Sequence, residues 1–265
     1  MITYKEMTHS QLKELQSIQY KILTKVEVLC EKYNIPYYLV YGTLLGAVRH
    51  QGSIPWDYDI DIAMKRKDLQ VLMKHRQELS EQLYIEPICY SSVEFCGLVR
   101  VISPKHGVYG DIHIDIFILD YAKKTKILTT QIGKAICKFL HIAKLSKNEK
   151  EIIIANFKAH PLKQFIVQVS KLANKILGGS AQIEKMIFKL RVSSKKTDNF
   201  VILEDYVSLP TKYFKSGTFL QYETKKFQVP SEYNQLLSLW YGNYMEIPAE
   251  GRRYLEEEQA MNKNN

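Results

Sequence analysis

Asp59 and Asp61, two residues apart in Asp57-Tyr58-Asp59-Ile60-Asp61-Ile62, put two carboxylates on one face of an extended segment. Asp115, in His113-Ile114-Asp115-Ile116, offers a third from a later segment. Carboxylates gathered on one sheet face repel one another strongly unless cations or protons neutralise them. Hard oxygen ligands suit Mg²⁺ or Mn²⁺, which also bind phosphate oxygens, so Asp59, Asp61 and Asp115 are the candidate metal ligands. One or two such ions would stabilise the attacking and leaving oxygens of an in-line displacement at phosphorus. Gly42-Thr43 fits the same chemistry. Glycine lets a backbone approach closely, and a hydroxyl with N–H groups at a helix start can hold a phosphate. Arg49, one or two turns later, can reach that phosphate with both guanidinium nitrogens. A lone D-x-D is ordinarily a solvated strand edge, and a lone glycine a plain turn. The order Gly-Thr, Asp-x-Asp, Asp points instead to a metal-dependent catalytic site for phosphate chemistry.

Other residues carry weaker signals. Arg100 is a candidate for the donor pyrophosphate, with a surface arginine as the alternative. Asp57 could be a further ligand or could orient one. Asp120 is expected as a cap or turn residue, His113 as a structural one, and Lys105 and His106 in a solvated loop. The 18 tyrosines could supply an aromatic cage for a quaternary ammonium, but abundance identifies no member.

The elements that must position these residues follow from periodicity. Leu12, Leu15, Ile18, Ile22, Val26 and Leu29 predict an amphipathic helix over 8–33, with Thr8 or Ser10 as N-cap and Asn34 and Pro36 ending it. Tyr37–Tyr41 reads as a buried strand, and Leu44–His50 as a short helix. Alternation over Asp57–Met64 predicts a strand with carboxylates 57, 59 and 61 on one face. A helix is expected over 66–83, then strands near 95–102 and 112–119. In the latter, His113 and Asp115 share one face, and the isoleucines and Leu119 belong to the other. Lysine-rich helical patterning fills 121–200. Strand-like pieces near 200–209 and 219–229, a helix over 231–241 and a polar tail from 256 complete the chain. The expected class is α+β, a mixed sheet with flanking helices plus a basic helical insertion. Its parts are a catalytic core (1–120), the insertion (121–200) and a C-terminal part completing the core (201–265).

Charge is divided unevenly. Residues 121–200 hold 17 Lys and Arg against 4 Asp and Glu, whereas the remainder holds 20 against 24, which together give the net +9. A lysine face interleaved with apolar residues suits either an anionic membrane surface or plain solvent. No recognised nucleic-acid motif is present, so no nucleic-acid partner is expected. Without a signal-like N-terminus or an apolar run long enough to span a bilayer, the expected place is the cytoplasm, with peripheral contact at the inner face of the plasma membrane as an option. Cys30, Cys89, Cys96 and Cys137 read as reduced thiols, a Cys89/Cys96 metal contribution being the alternative.

Tyr41-Gly-Thr-Leu-Leu-Gly-Ala-Val-Arg-His50 followed by Ile54-Pro-Trp-Asp-Tyr-Asp-Ile-Asp-Ile62 closely resembles the signature of the LicD family, which includes bacterial phosphocholine transferases and is related to fukutin and the fukutin-related protein. His113–Asp120, Phe227–Pro230, Tyr233 and Trp240–Pro248 match further blocks, and the likeness covers about 1–120 and 200–254. It implies a nucleotidyltransferase-like core, a divalent metal and a cytidine-diphosphate-linked donor, CDP-choline foremost. The reaction it implies is transfer of phosphocholine or a related phospho-alcohol to a sugar hydroxyl of a lipopolysaccharide, teichoic acid or other cell-surface glycan precursor. Asp59 and Asp61 would then be metal ligands, Asp115 a third carboxylate and general base, and Gly42 and Thr43 the donor-phosphate residues. Two positions depart from the family pattern: Tyr58 and Asn243 stand where aspartate is usual. The alternatives are transfer of the nucleotide itself to a small molecule or RNA end, and a non-catalytic protein that binds polyanionic glycans. The assembled carboxylates argue against the last.

Overall fold

The computed structural model describes residues 7–123, 136, 139–140, 142–144, 161–203 and 208–249. Cys137, the tail expected from 256 and much of the expected basic insertion lie outside the described residues. In chain order the elements are α1 (His9–Lys32), β1 (Tyr38–Leu39), α2 (Tyr41–Arg49), β2 (Asp61–Lys65), α3 (Arg66–Lys74), β3 (Tyr84–Pro87), β4 (Leu98–Ser103) and β5 (Ile112–Tyr121). Then come α4 (Pro161–Ile176), α5 (Ser180–Arg191), β6 (Asn199–Val201), β7 (Ser208–Pro210), β8 (Gly217–Tyr222), β9 (Lys225–Pro230) and α6 (Tyr233–Tyr241). The class is α+β with a mixed sheet, and two compact units divide the chain.

The first unit comprises Met1–Glu86, Leu98–Leu119 and Leu209–Asn265. Its sheet runs β1-β2-β5-β4-β3, with β2 parallel to β5, β1 antiparallel to β2 and β4 antiparallel to β5. α1 starts at Thr8, whose hydroxyl accepts from the Gln11 amide while the Gln11 side chain accepts from the Thr8 N–H, a reciprocal cap. Leu15, Ile22, Leu23, Val26 and Leu29 form its buried stripe. In β5, Ile112, Ile114, Ile116 and Ile118 are buried and alternate with the part-exposed His113, Asp115 and Phe117. Leu119 shares the parity of Asp115 rather than that of the isoleucines, so the expected face assignment is corrected at that position. β8 and β9 form a hairpin whose two-residue turn, Glu223-Thr224, has Glu223 at φ 55°.

The second unit comprises Pro87–Gly97 and Asp120–Ser208. The last two residues of β5, Asp120 and Tyr121, pair antiparallel with Val201 and Phe200 of β6. Its core gathers Leu140, Ala143, Ile183, Ile187, Val201 and Leu203.

Several local expectations change. The strand expected over Tyr37–Tyr41 is reduced to Tyr38–Leu39, because Tyr41 takes φ 48° and opens α2. Its ring lies between Phe117 (5.1 Å between centroids) and Trp240 (4.5 Å), which holds this left-handed break in place. The strand expected from Asp57 is paired as β2 only from Asp61; Asp57 sits in a turn with its N–H donated to the Ile54 carbonyl. The helix expected over 66–83 stops at Lys74. There His75 turns to Glu78, and Arg76 donates to the Met73 carbonyl. Asp120 is a buried strand residue and not a cap, since β6 extends the pairing past Leu119.

Candidate active site

Strand register assembles the central row. Asp61 of β2 is paired with Asp115 of β5, and Asp115 with Arg100 of β4, so one carboxylate lies between another and a guanidinium. Neighbouring strands are about 4.8 Å apart, which brings side chains at matched positions of one face together. Arg100 Nε donates to Asp115 Oδ1 at 3.0 Å. His113, two residues back on the same face, has Nε2 3.8 Å from that oxygen. Burial first, and then the Arg100 guanidinium, push the His113 imidazole below its ordinary value, against the pull of Asp115 and Asp111. Near neutral pH, His113 is therefore an uncharged neighbour.

Asp59 precedes the paired part of β2, and the parallel ladder extends as far as Ile60, the residue after it, whose carbonyl accepts from the Asp115 N–H at 2.9 Å. One further rung comes from α1. Gln19 Nε2 donates to both the Tyr58 carbonyl (2.9 Å) and the His113 carbonyl (3.1 Å), bridging the two chains ahead of Asp59 and Asp115. A turn earlier, Gln16 Nε2 donates to the carbonyls of Ile54 (2.9 Å) and Asp57 (2.7 Å). Two amides thus fix the backbone that carries Asp57 and Asp59. Sequence reasoning missed both, although Gln19 occupies a buried position four residues after Leu15 and three before Ile22, where an apolar side chain is the norm.

The Gly42-Thr43 pair opens α2 and faces this same segment. Thr43 Oγ1 accepts from the Asp61 N–H at 2.8 Å, so the hydroxyl ties the helix start to the first residue of β2. A Cβ on Gly42 would stand 2.5 Å from Asp57 Oδ2, so the missing side chain is the seat of the Asp57 carboxylate. Asp57 Oδ1 in turn accepts from the Tyr58 N–H. Asp57 therefore leans on α2 rather than sharing a strand face with Asp59 and Asp61.

Arg49, at the far end of α2, donates through Nη1 to the carbonyls of Tyr244 (3.0 Å) and Glu246 (3.3 Å). Trp240 packs on Tyr41 as described above, so the C-terminal block braces both ends of the 41–50 segment. Asn243 donates to Glu246 Oε2 within that block, a bond for which an aspartate has no hydrogen. The hairpin turn adds another brace: Glu223 accepts from the Ser53 N–H at 2.8 Å, and its own N–H donates to the Gln51 carbonyl. Nothing in the sequence marked Glu223, because its partners are backbone groups of a distant loop.

The oxygen donors Asp59, Asp61 and Asp115 suit a small hard cation, and two of them are held side by side by strand register. Among the described residues no three His, Cys, Asp or Glu are gathered tightly enough to enclose an ion by themselves. Mg²⁺ in general is commonly held by one or two carboxylates and completed by water and substrate phosphate. Cys30, Cys89 and Cys96 are free thiols.

Residues 34–139 match the family described as LicD/FKTN/FKRP, nucleotidyltransferase domain. Over 257 residues, 90% of this chain and 93% of the other, the sequence is 30% identical to the lipopolysaccharide cholinephosphotransferase LicD of Haemophilus influenzae. The chain belongs to the LicD family. An uncharacterised protein of Rickettsia prowazekii is 43% identical over 113 residues, 43% of this chain and 37% of that one. The stretch matched to the LicD domain contains Gly42, Thr43, Arg49, Asp59, Asp61, Arg100 and Asp115, but not Gln16, Gln19 or the C-terminal brace.

Proposed function

We propose that this LicD-family chain is a transferase that moves phosphocholine from a CDP-linked donor to a hydroxyl of a lipopolysaccharide-type glycan, on a nucleotidyltransferase-like core. The observation that carries the reading is the in-register row Asp61–Asp115–Arg100. The identity to a cholinephosphotransferase along almost its whole length supports the substrate class. In the reaction the acceptor oxygen attacks the choline-bearing phosphorus, the bond from that phosphorus to the bridging oxygen breaks, and cytidine monophosphate leaves. Asp59 and Asp61, with Asp115, would hold Mg²⁺ or Mn²⁺, which supplies charge neutralisation on the phosphate oxygens. Asp115 takes the hydroxyl proton, kept in place by the Arg100 bond to its Oδ1. Arg100 also sets a positive charge beside the carboxylates, where the donor pyrophosphate is bound. Thr43 and Gly42 hold the Asp57–Asp61 segment against α2, next to that phosphate.

The test is incubation of the purified chain with Mg²⁺ or Mn²⁺ and a panel of CDP-alcohols, with released nucleotide and modified acceptor measured together. Cytidine monophosphate and a phosphocholine-bearing glycan are expected from CDP-choline. Release of pyrophosphate from a nucleoside triphosphate with nucleotide on the acceptor would overturn the reading. Asp61→Asn is expected to abolish detectable turnover with melting temperature retained. Asp115→Asn should slow it by roughly 10²–10⁴-fold, the usual worth of a general base. Full activity in both variants would remove these residues from the mechanism.

A further inference from the structure

In the second unit, α4 turns two polar residues, Ser170 and Asn174, inward and carries large apolar residues on its exposed side. Ser170 is fully buried, and the buried Asn174 donates to the Ala143 carbonyl (2.7 Å) and to Ser180 Oγ (3.0 Å). Ser180 Oγ donates in turn to the Lys144 carbonyl at 2.6 Å. Polar bonds help to dock this helix, and among its described side chains Ala173 packs on the apolar core of the unit. Phe165 (65% exposed), Val169, Leu172 and Ile176 (72% exposed) lie at spacings of 4, 3 and 4, and so form one outward stripe. Four large apolar side chains exposed in one stripe of a helix mark a surface that meets an apolar partner.

Charge identifies the occupant. α4 contains no acidic residue, and Lys171 and Lys175 stand exposed beside the stripe. The segment 121–200 around it carries 17 Lys and Arg against 4 Asp and Glu. A one-helix-wide apolar stripe flanked by lysines, in a strongly cationic stretch of sequence, complements an anionic lipid surface. Sixteen residues of helix measure about 24 Å, and among the described residues no helix is long and apolar enough to cross a membrane. We propose that α4 lies in the plane of an anionic bilayer. Phe165, Val169, Leu172 and Ile176 enter the boundary between headgroups and acyl chains, while Lys171 and Lys175 rest among the phosphates. This surface is independent of the transfer reaction and involves none of its residues.

The experiment is co-sedimentation of the full chain with vesicles of phosphatidylcholine, with and without phosphatidylglycerol, at low and high salt. Partitioning to the anionic vesicles is expected to exceed that to neutral ones by about ten-fold or more, and to fall at high salt. The double substitution Phe165→Ser/Ile176→Ser is expected to lower it by about ten-fold or more with melting temperature unchanged. In a second variant, Phe165→Trp, emission should shift to the blue with anionic vesicles alone, relative to the parent. Equal binding by the parent and the double variant would overturn the proposal in favour of charge alone. Absence of vesicle binding would also overturn it, and self-association lost in the double variant would then identify a second copy as what covers the stripe. No donor is present in this assay, so its failure leaves the transferase reading untouched.

Discussion

Gln19 lies in the apolar stripe of α1, yet both hydrogens of its amide leave that stripe to bridge the backbones in front of Asp59 and Asp115. Its Oε1 is buried with no hydrogen-bond partner. These two facts pull stability in opposite directions. Gln19→Leu loses two bonds worth about 0.5–1.5 kcal/mol each, but it also removes a buried unsatisfied oxygen that costs about 1–3 kcal/mol. The substitution is therefore expected to change unfolding free energy by no more than about 1 kcal/mol by urea titration. Activity should respond differently, because Asp59 lies outside the paired part of β2 and depends on this bridge for its register. A turnover number lowered by at least about ten-fold is expected, since displacements of ångström order weaken a positioned site that much or more. Weaker Mn²⁺ binding should accompany it, measured without donor. A variant that lost stability but kept turnover and Mn²⁺ affinity would show Gln19 to be a packing residue only.

Between elements, the C-terminal end of α1 and the end of α3 meet at a single carboxylate. Glu78 accepts from Lys32 (2.6 Å) and Tyr33 (2.7 Å), with His75 Nδ1 3.0 Å away, and these bonds push its carboxyl down to about 2. The folded value lies below the unfolded one, so the stabilisation is present above the ordinary glutamate range and is lost as pH falls towards 2. Comparing melting temperatures of the parent and Glu78→Gln from pH 6 down to about 3 should show the difference shrinking as the acid limb is reached. These bonds lie at the solvent-exposed surface, so high salt should shrink it too. A pH-independent difference would assign the effect to packing. This node also explains why α3 ends nine residues before the periodicity suggests, at 74 instead of 83. Leu79 and Leu83 continue the apolar spacing and are buried, but the bonds of His75, Arg76 and Glu78 break the helix between them and Lys74. The elements set by strong local periodicity, α1 and β5, were readable from the chain, and Asp61 and Asp115, both read as strand residues, are paired across β2 and β5. Long-range features were not. Tyr41 leaves the expected strand because Phe117 and Trp240 clasp it, and Trp240 lies about 200 residues away in sequence. Asp57 leaves the carboxylate face because Gly42 makes room for it. Periodicity has no access to either contact.

At the scale of the molecule, chemistry and charge are divided between the two units. Gly42, Thr43, Arg49, Asp59, Asp61, Arg100 and Asp115 all fall within the first, drawn from Met1–Glu86 and Leu98–Leu119. The excess of lysine and the outward stripe of α4 fall within the second. A ligand that binds only the folded form of one unit stabilises that unit by RT ln(1 + [L]/Kd), about 2.7 kcal/mol at a hundred-fold excess over Kd. Hydrogen exchange on the full chain, with and without CDP-choline and Mn²⁺ at such an excess, reads where that energy goes. Peptides covering α2, β2, β4 and β5 as far as Leu119 should exchange up to about a hundred-fold more slowly with the ligands. Peptides from α4 and α5 should be unchanged. Equal protection of α4 and α5 would mean that the donor also engages the second unit, and the seven residues would then describe only part of its site. Protection confined to α4 and α5 would be more damaging, because it would move the donor away from the Asp61–Asp115–Arg100 row altogether. The same measurement repeated with anionic vesicles and no donor should give the reverse pattern, slowing α4 and leaving β2 and β5 as they were.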